Sequence, residues 1–406
     1  MIDVNDALEA MLAHTPRLPT ETLPLSEALH SVTAETIIAH EDNPSFDSSA
    51  MDGYGVKVND VQTASDENPV ELKIAGVVKA GQVYKKSLEP GTAVKIFTGA
   101  MVPEGVEAVL MREKSSEADG KVLIKSSVEP GENIRRRGGQ FKQGDEALPA
   151  GVPITPPVIG LLAALGYAEI CVYRKPKVAV VITGDELLEP QDPLEDGKIR
   201  DVNTYTIQAA LQEMGIKAIS FKRAIDDPEN LREAVSQSLS SADILIVSGG
   251  ISVGDYDFAK DVFEGVGVNE VFWRVAVKPG KPTFFGTKDE KLVFGLPGNP
   301  ASALVIFYLF VRRAIFSMMG REETQSICLP AIMKSEVRKE AGRREYLRGR
   351  FQCENDKLYA ELHGRQFSHM MSSFANSNCL IIFPKEETNI AEDEEVQIQL
   401  LPWTAL

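Results

Sequence analysis

Three glycine-rich turns hold the residues of this chain best suited to chemistry. They are Ser248-Gly249-Gly250-Ile251-Ser252, running on to Asp257, then Lys278-Pro279-Gly280-Lys281-Pro282, then Gly295-Leu296-Pro297-Gly298-Asn299-Pro300. Each follows an apolar run. Glycine lets a backbone approach a ligand closely, and its exposed N–H groups cradle oxyanions. Lysines and carboxylates in the same turns add charge suited to phosphate and metal, so the set points to a phosphorylated small molecule. The N–H groups of Gly249, Gly250 and Ser252 suit a phosphate anchor, with a plain strand–helix turn as the structural alternative. Residues 297–300 stand at a predicted helix start, where open N–H groups and the helix dipole favour an anion. Asn299 is placed to cap that helix, and an ordinary capped helix would look the same.

The elements that must hold these turns alternate between strand and helix. Val178–Thr183 and 243–248 read as buried strands, 216–221 as another, and 203–214 and a segment opened by Pro228 as helices. Such alternation predicts a largely parallel sheet covered on both faces, with ligands beyond the carboxyl ends of the strands. Pro300 opens a long helix to about Met319. Earlier, Asp3 caps a first helix with Val4, Ala7, Leu8 and Met11 at helical spacing, and a second helix is expected over 25–36. From 51 to about 141 short β-like runs alternate with Gly, Pro and Asp clusters, and Pro156 then opens a helix that Gly166 ends. From Ile327 onward the pattern is β-rich again.

Composition bounds the rest. The chain has 406 residues, 43% hydrophobic and 25% charged, with a formal net charge of −16. An acidic balance of this size disfavours nucleic acid and anionic membranes as partners. An anionic substrate needs local positive patches within a repelling field. The four scattered cysteines (Cys171, Cys328, Cys353, Cys379) form no C-x-x-C pair. They predict neither a disulfide framework nor a structural zinc site, and they fit a reducing cytoplasm. The start carries Asp3, Asp6 and Glu9 instead of a basic, apolar leader, and the longest apolar run, 303–311, is too short to span a bilayer.

The motifs taken together resemble the molybdopterin molybdenumtransferase family, which includes bacterial MoeA and the E domain of gephyrin. Ser48-Ser49-Ala50-Met51-Asp52-Gly53-Tyr54-Gly55 is similar to that family's S-x-A-M-D-G-Y-A. Ile96-Phe97-Thr98-Gly99-Ala100-Met101-Val102-Pro103 carries its T-G-A-x-x-P. Arg135-Arg136-Arg137-Gly138, Thr183-Gly184-Asp185-Glu186-Leu187, the three turns, Ser368-His369 and 373–378 follow in family order. The resemblance implies a multidomain α/β plus β fold. Its parts are a discontinuous linker domain (1–42 and 142–174), a β-rich inserted domain (43–141), a MoaB/Mog-like α/β/α molybdopterin-binding domain (175–325) and a β-barrel-like C-terminal domain (326–406). It implies a cytoplasmic homodimer whose site combines the α/β domain of one subunit with the β domain of the other. The implied reaction inserts molybdate into adenylylated molybdopterin with Mg²⁺ and releases AMP. A molybdopterin adenylyltransferase, which shares the α/β module, and a non-catalytic gephyrin-like scaffold are the alternatives.

The resemblance also distributes roles. Asp52, Glu186 and Asp257 become metal-binding and catalytic candidates, with Asp226 a further acid beside a family motif, since Mg²⁺ takes a few carboxylates plus substrate phosphates. In a chain with 59 acids each has a surface-charge alternative, and Asp257 could simply cap the next helix. Lys278, as a catalytic cation, and Lys281, Arg343 and Ser368 would form a molybdate pocket, against the alternative of a solvated basic rim. Thr98, Arg137, Ser248, Pro297, Asn299 and Pro300 complete the expected substrate contacts. His369 reads as structural or substrate-contacting. Arg274 stands where the family often has lysine. After Gly138 the family's usual Glu-Asp is replaced by Gly139-Gln140, which removes an expected carboxylate.

Overall fold

In a computed structural model, residues 1–225, 227–250, 258–321 and 325–404 are described. The chain divides into two compact units. One comprises 1–34, 151–155 and 170–406, the other 35–150 and 156–169.

The first helix, α1 (Val4–Ala13), starts as expected: the Asp3 carboxylate accepts from the Asn5 N–H at 3.0 Å. Its apolar stripe of Val4, Ala7, Leu8 and Met11 is buried in the main core of the first unit. The expected helix over 25–36 is absent. Leu25, Ala28, Leu29 and Val32 do fall at helical spacing, but His30 has φ +65° and the backbone turns away. Thr33 N donates to the Val152 carbonyl at 3.0 Å, and Ile154 N to that of Ser31 at 2.8 Å. A distant segment thus takes the hydrogen bonds that a helix would have made locally.

The second unit is built on a six-stranded sheet. Its strands are β1 (Gly53–Val56), β2 (Val70–Val78), β3 (Thr92–Ile96), β4 (Ala108–Met111), β5 (Ser115–Ala118) and β6 (Lys121–Ile124), in the order β4-β1-β3-β2-β6-β5. Tyr54, Val56, Leu72, Ala93, Leu110 and Val122 fill its core. The helix α2 (Pro156–Ala164) belongs to the same unit.

The first unit holds an α/β layer structure. Its elements are β7 (Val178–Thr183), α3 (Asn203–Glu213), β8 (Ser220–Ala224), α4 (Pro228–Ser241), β9 (Ile244–Ser248), α5 (Ala259–Gly265), β10 (Asn269–Trp273), β11 (Phe284–Lys288) and β12 (Lys291–Leu296). A continuous helix, α6 (Pro300–Met318), follows. The sheet runs β8-β7-β9-β12-β11-β10, with the first four strands parallel. Because strand side chains alternate, Val178, Val180, Ile182, Ile244 and Ile246 pack on the side of α1, α3 and α6. Ala179, Val181, Leu245 and Val247 pack on that of α4 and α5. Hence the runs are apolar throughout. The strand expected over 216–221 lies further on, at β8. Gly215 (φ +70°) ends α3, and Ile216 N returns to the Leu211 carbonyl at 3.0 Å, so Ile216 seals the helix end instead of joining the sheet.

α6 is longer than its apolar run, and by length and composition it could cross a bilayer. Here 78% of its apolar window is buried within the protein, as a core helix. Beyond it, β13 (Cys328–Met333), β14 (Arg344–Glu354), β15 (Lys357–Leu362), β16 (Cys379–Phe383) and β17 (Glu395–Leu400) close into a five-stranded barrel. The order is β14-β15-β13-β17-β16, and β16 pairs back onto β14.

Candidate active site

The parallel strands end level with one another: Ile182 is opposite Ser248, and Ser248 opposite Leu296. Three turns therefore leave the sheet side by side, where β7 connects outward to β8 and the chain next crosses back to β9. That reversal opens a crevice beyond the strand ends. It is a cavity of about 630 Å³ whose walls include Thr183, Glu186, Asn203, Gly249, Pro297 and His369. Gly250, Asn299 and Pro300 line it as well. The sequence-predicted phosphate turn and helix start are thus brought together with Glu186.

Gly249 and Gly250 have φ of +99° and +63°. A Cβ on Gly249 would lie 2.5 Å from the Thr183 hydroxyl and 2.7 Å from its carbonyl oxygen. The turn is therefore restricted to glycine by close approach as well as by backbone conformation. Ser248 is buried, and its hydroxyl is committed inward. It accepts from Asn203 Nδ2 at 2.9 Å and donates to the Pro297 carbonyl at 3.1 Å. Asn203 Nδ2 also donates to the Gly298 carbonyl at 2.8 Å, so one amide ties the α3 start to two of the turns. Among the described residues, Asn203 Oδ1 and the Thr183 hydroxyl are buried without hydrogen-bond partners. Sequence reasoning missed Asn203; the Asp201-Val202-Asn203 entry to the helix expected over 203–214 was the available signal.

The start of α6 differs from expectation. Asn299 occupies the cap position, but its side chain makes no capping bond. Pro300 has no N–H, and Ala301 N donates to the Ser368 carbonyl at 3.0 Å. Part of the expected anion-binding terminus is therefore already used, by the loop that carries Ser368 and places His369 on the crevice wall. That loop is held by Arg348, which sequence reasoning also missed. Arg348 is fully buried. It donates to the Phe367 carbonyl at 2.9 Å, the Arg365 carbonyl at 3.3 Å and the Ser373 hydroxyl at 3.3 Å. Burial pushes its guanidinium down to about 10, so it stays charged at neutral pH. A charged residue inside the apolar strand run around Tyr346 and Leu347 was its signal.

The expected cations differ in how far they are occupied. Lys278 pairs with buried Glu345 at 3.0 Å, through a short strand at 277–278 that joins β14. Lys281 is exposed, and Arg343 is half-buried and outside the crevice wall. Asp226, Ser252 and Asp257 lie outside the described residues.

The second unit brings Asp52 and Thr98 together. The Asp52 carboxylate accepts from both the N–H and the hydroxyl of Thr98, each at 2.8 Å. Those two bonds hold its carboxyl below the usual range, so it is ionised at neutral pH. The Thr98 hydroxyl is thereby directed to Asp52. Arg137 is likewise occupied: its Nε donates to Asp42 at 2.6 Å and its backbone N–H to Asp47 at 2.7 Å. Arg136 also pairs with Asp47, so two of the three arginines serve this loop.

Profiles of known families match three consecutive stretches of the chain. The MoeA N-terminal region (domain I and II) covers 2–166, the probable molybdopterin binding domain 179–317, and the MoeA C-terminal region (domain IV) 330–401. The molybdopterin molybdenumtransferase of Haemophilus influenzae is 39% identical over 405 residues, covering 98% of each chain. The chain belongs to the molybdopterin molybdenumtransferase family. The Bacillus subtilis member is 35% identical over 100% of this chain and 97% of its own. The crystal structure of the molybdopterin biosynthesis MoeA protein from Pyrococcus horikoshii aligns with a TM-score of 0.83 at 30% identity, covering 99% of this chain and 100% of that one. As a molybdenumtransferase, the chain is an enzyme of molybdenum cofactor biosynthesis. The match to the N-terminal region sets it apart from an adenylyltransferase that shares only the α/β module.

Proposed function

We propose that this enzyme takes adenylylated molybdopterin and molybdate, inserts molybdenum into the dithiolene, and opens the phosphoanhydride with water to release AMP. In the insertion the two thiol sulfurs replace one oxo group of molybdate, which leaves as water with the two thiol protons. The observation that carries this reading is the crevice, in which the glycine-restricted turn at 249–250 and Glu186 line one cavity sized for a small molecule. The Gly249 N–H, expected to anchor phosphate, instead donates to the Leu296 carbonyl at 3.2 Å, which leaves the Gly250 N–H as the donor suited to a phosphate. The buried acceptor of Asn203 and the hydroxyl of Thr183 offer hydrogen bonds to a polar heterocycle.

Mg²⁺ fits as a substrate-bridged ion. Among the described residues no three His, Cys, Asp or Glu side chains are grouped to hold a metal. Mg²⁺ is commonly held by one or two carboxylates plus substrate phosphates, however, and Glu186 lines the crevice. When bound, the cation's contribution is to neutralise the pyrophosphate oxygens. Glu186 would hold it, together with Asp52 from a second protomer and with Asp257. The working form is a homodimer in which the Asp52–Thr98 loop of one protomer meets the crevice of the other. Support comes from the Asp52 carboxylate, which is exposed, ionised and pre-oriented by Thr98. Lys278 and Lys281 supply charge for the molybdate dianion, with Ser368 and Arg343 as further contacts. The test is AMP release from adenylylated molybdopterin. Release that requires both molybdate and Mg²⁺ is expected, and none with authentic substrate overturns the reading.

A further inference from the structure

Directly beside Asp52, the second unit carries a cation that the sequence motifs do not single out. Arg112 follows β4, and its N–H donates to the Asp52 carbonyl at 3.0 Å. Gly53 stands opposite Met111 in the antiparallel β1–β4 pair, which makes Asp52 and Arg112 the next partners along it. Side chains of directly opposed residues share a face, with Cβ atoms about 4.5–5.5 Å apart. Both residues are exposed, and the positive charge of Arg112 acts on the Asp52 carboxylate.

The surroundings leave the Arg112 guanidinium unclaimed. Its charge also acts on Glu117 and the Tyr54 hydroxyl, but those two are bonded to each other, and Lys95 holds Glu117 at 2.6 Å. Thr98 directs both of its bonds at Oδ1 of Asp52. Among the described residues the Arg112 guanidinium makes no ion pair and no hydrogen bond. An exposed carboxylate brought up to phosphates meets like-charge repulsion, and the chain's net charge of −16 adds to it. A guanidinium fixed next to that carboxylate offsets the repulsion at the point of approach.

We propose that Arg112 enters the crevice of the second protomer together with Asp52 and binds a phosphate group of the adenylylated substrate. This deepens the shared-site reading given above and rests on it. The planar fork of an arginine matches two oxygens of one phosphate, and hydrogen bonds between ionised partners are roughly twice as strong as neutral ones. One protomer then offers the Gly250 N–H to the phosphates, and the other brings the positive charge. Arg112 is a substrate-binding residue supplied in trans, separate from Lys278 and Lys281.

Steady-state kinetics of AMP release test it first. Arg112→Gln raises the KM for adenylylated molybdopterin about ten-fold or more, with the KM for molybdate and the unfolding temperature unchanged. Arg112→Lys keeps the charge without the fork and gives a smaller rise, of about three-fold. A lower kcat with neither KM moved would mean that Arg112 only tunes Asp52, and overturns the proposal. So does a comparable rise in the KM for molybdate, or a loss of stability that accounts for the whole effect. Mixed dimers, made by refolding two variants together, then test the crossing between protomers. At limiting substrate, Arg112→Gln mixed with Gly249→Ala exceeds the mean of its parents, because each mixed dimer holds one intact site. Arg112→Gln mixed with Asp52→Asn stays at that mean, since both changes fall in the same unit; a gain there overturns the proposal. If Arg112→Gln fails to complement Gly249→Ala while Asp52→Asn succeeds, this proposal alone falls. If Asp52→Asn fails as well, the shared-site reading falls and this proposal with it.

Discussion

A methyl group placed on Gly249 would press into Thr183, at the point where the phosphate turn leaves the sheet. Gly249→Ala is therefore expected to cost about 1–3 kcal/mol in strain and to lower AMP release by more than about ten-fold, because relief of the clash displaces the turn and the Gly250 N–H with it. Thermal unfolding and the AMP assay check the two effects separately. In the proposed reaction Asp52 acts through its charge. Its depressed pKa means the ionised form is fully present above the ordinary carboxylate range and is lost only as pH falls below it. AMP release should thus show no Asp52-linked decline between pH 8 and about 5. Asp52→Asn should lower it about a hundred-fold with little change in unfolding temperature. An Asp52→Asn enzyme with normal turnover would remove Asp52 from the site. The glycine restriction at 249 and the exposed Asp52 carboxylate were legible in the sequence because glycine and carboxylate in a turn carry their chemistry locally. The occupation of Lys278 by Glu345, 67 positions away, was not, since it depends on a strand pairing that no local pattern encodes.

Between elements, two arginines act as ties. Arg348 joins the barrel to the loop bearing Ser368 and His369 through two carbonyls and a hydroxyl. Arg348→Lys keeps a charge but loses the fork, leaving a buried carbonyl short of a donor at about 1–3 kcal/mol. Turnover should fall with the loosened loop, measured beside the unfolding temperature; unchanged turnover would show that the loop needs no such tie. Arg174 grips Asp243 through two bonds of 2.7 and 3.0 Å, joining the segment that leads into β7 to the start of β9. Burial alone would raise the Asp243 pKa, but the Arg174 hydrogen bonds, the Lys177 N–H and the positive charges outweigh it and lower it. A depressed carboxyl contributes stability above its unfolded pKa, and that contribution disappears as pH falls through the folded value. Asp243→Asn should therefore cost about 2–3 kcal/mol at pH 7 and much less near pH 3, as denaturant unfolding at the two pH values would show. Equal costs at both would contradict the ionic role. β7 and β9 were readable because their apolar runs end at glycine, Gly184 and Gly249. The segment 25–36 was not, because its helical spacing competes with backbone bonds to 151–154 that come from far along the chain.

At the scale of the whole molecule, the two kinds of expected site residue fall in different compact units. Asp52 and Thr98 lie in one, while Glu186, Gly249, Asn299 and Ser368 lie in the other. That separation follows from the sequence: the β-rich module is inserted between segments whose apolar faces build a different core. A homodimer that shares its sites gives the separation a purpose, and light scattering should then report twice the 44.4 kDa chain mass. The decisive measurement is subunit complementation. Asp52→Asn and Gly249→Ala chains are unfolded, mixed in equal amounts, refolded together, and assayed for molybdate- and Mg²⁺-dependent AMP release. Random pairing places one intact site in half of the dimers, so the mixture should recover about a quarter of wild-type activity. A mixture no more active than its parents, although mixed dimers have formed, would contradict the account.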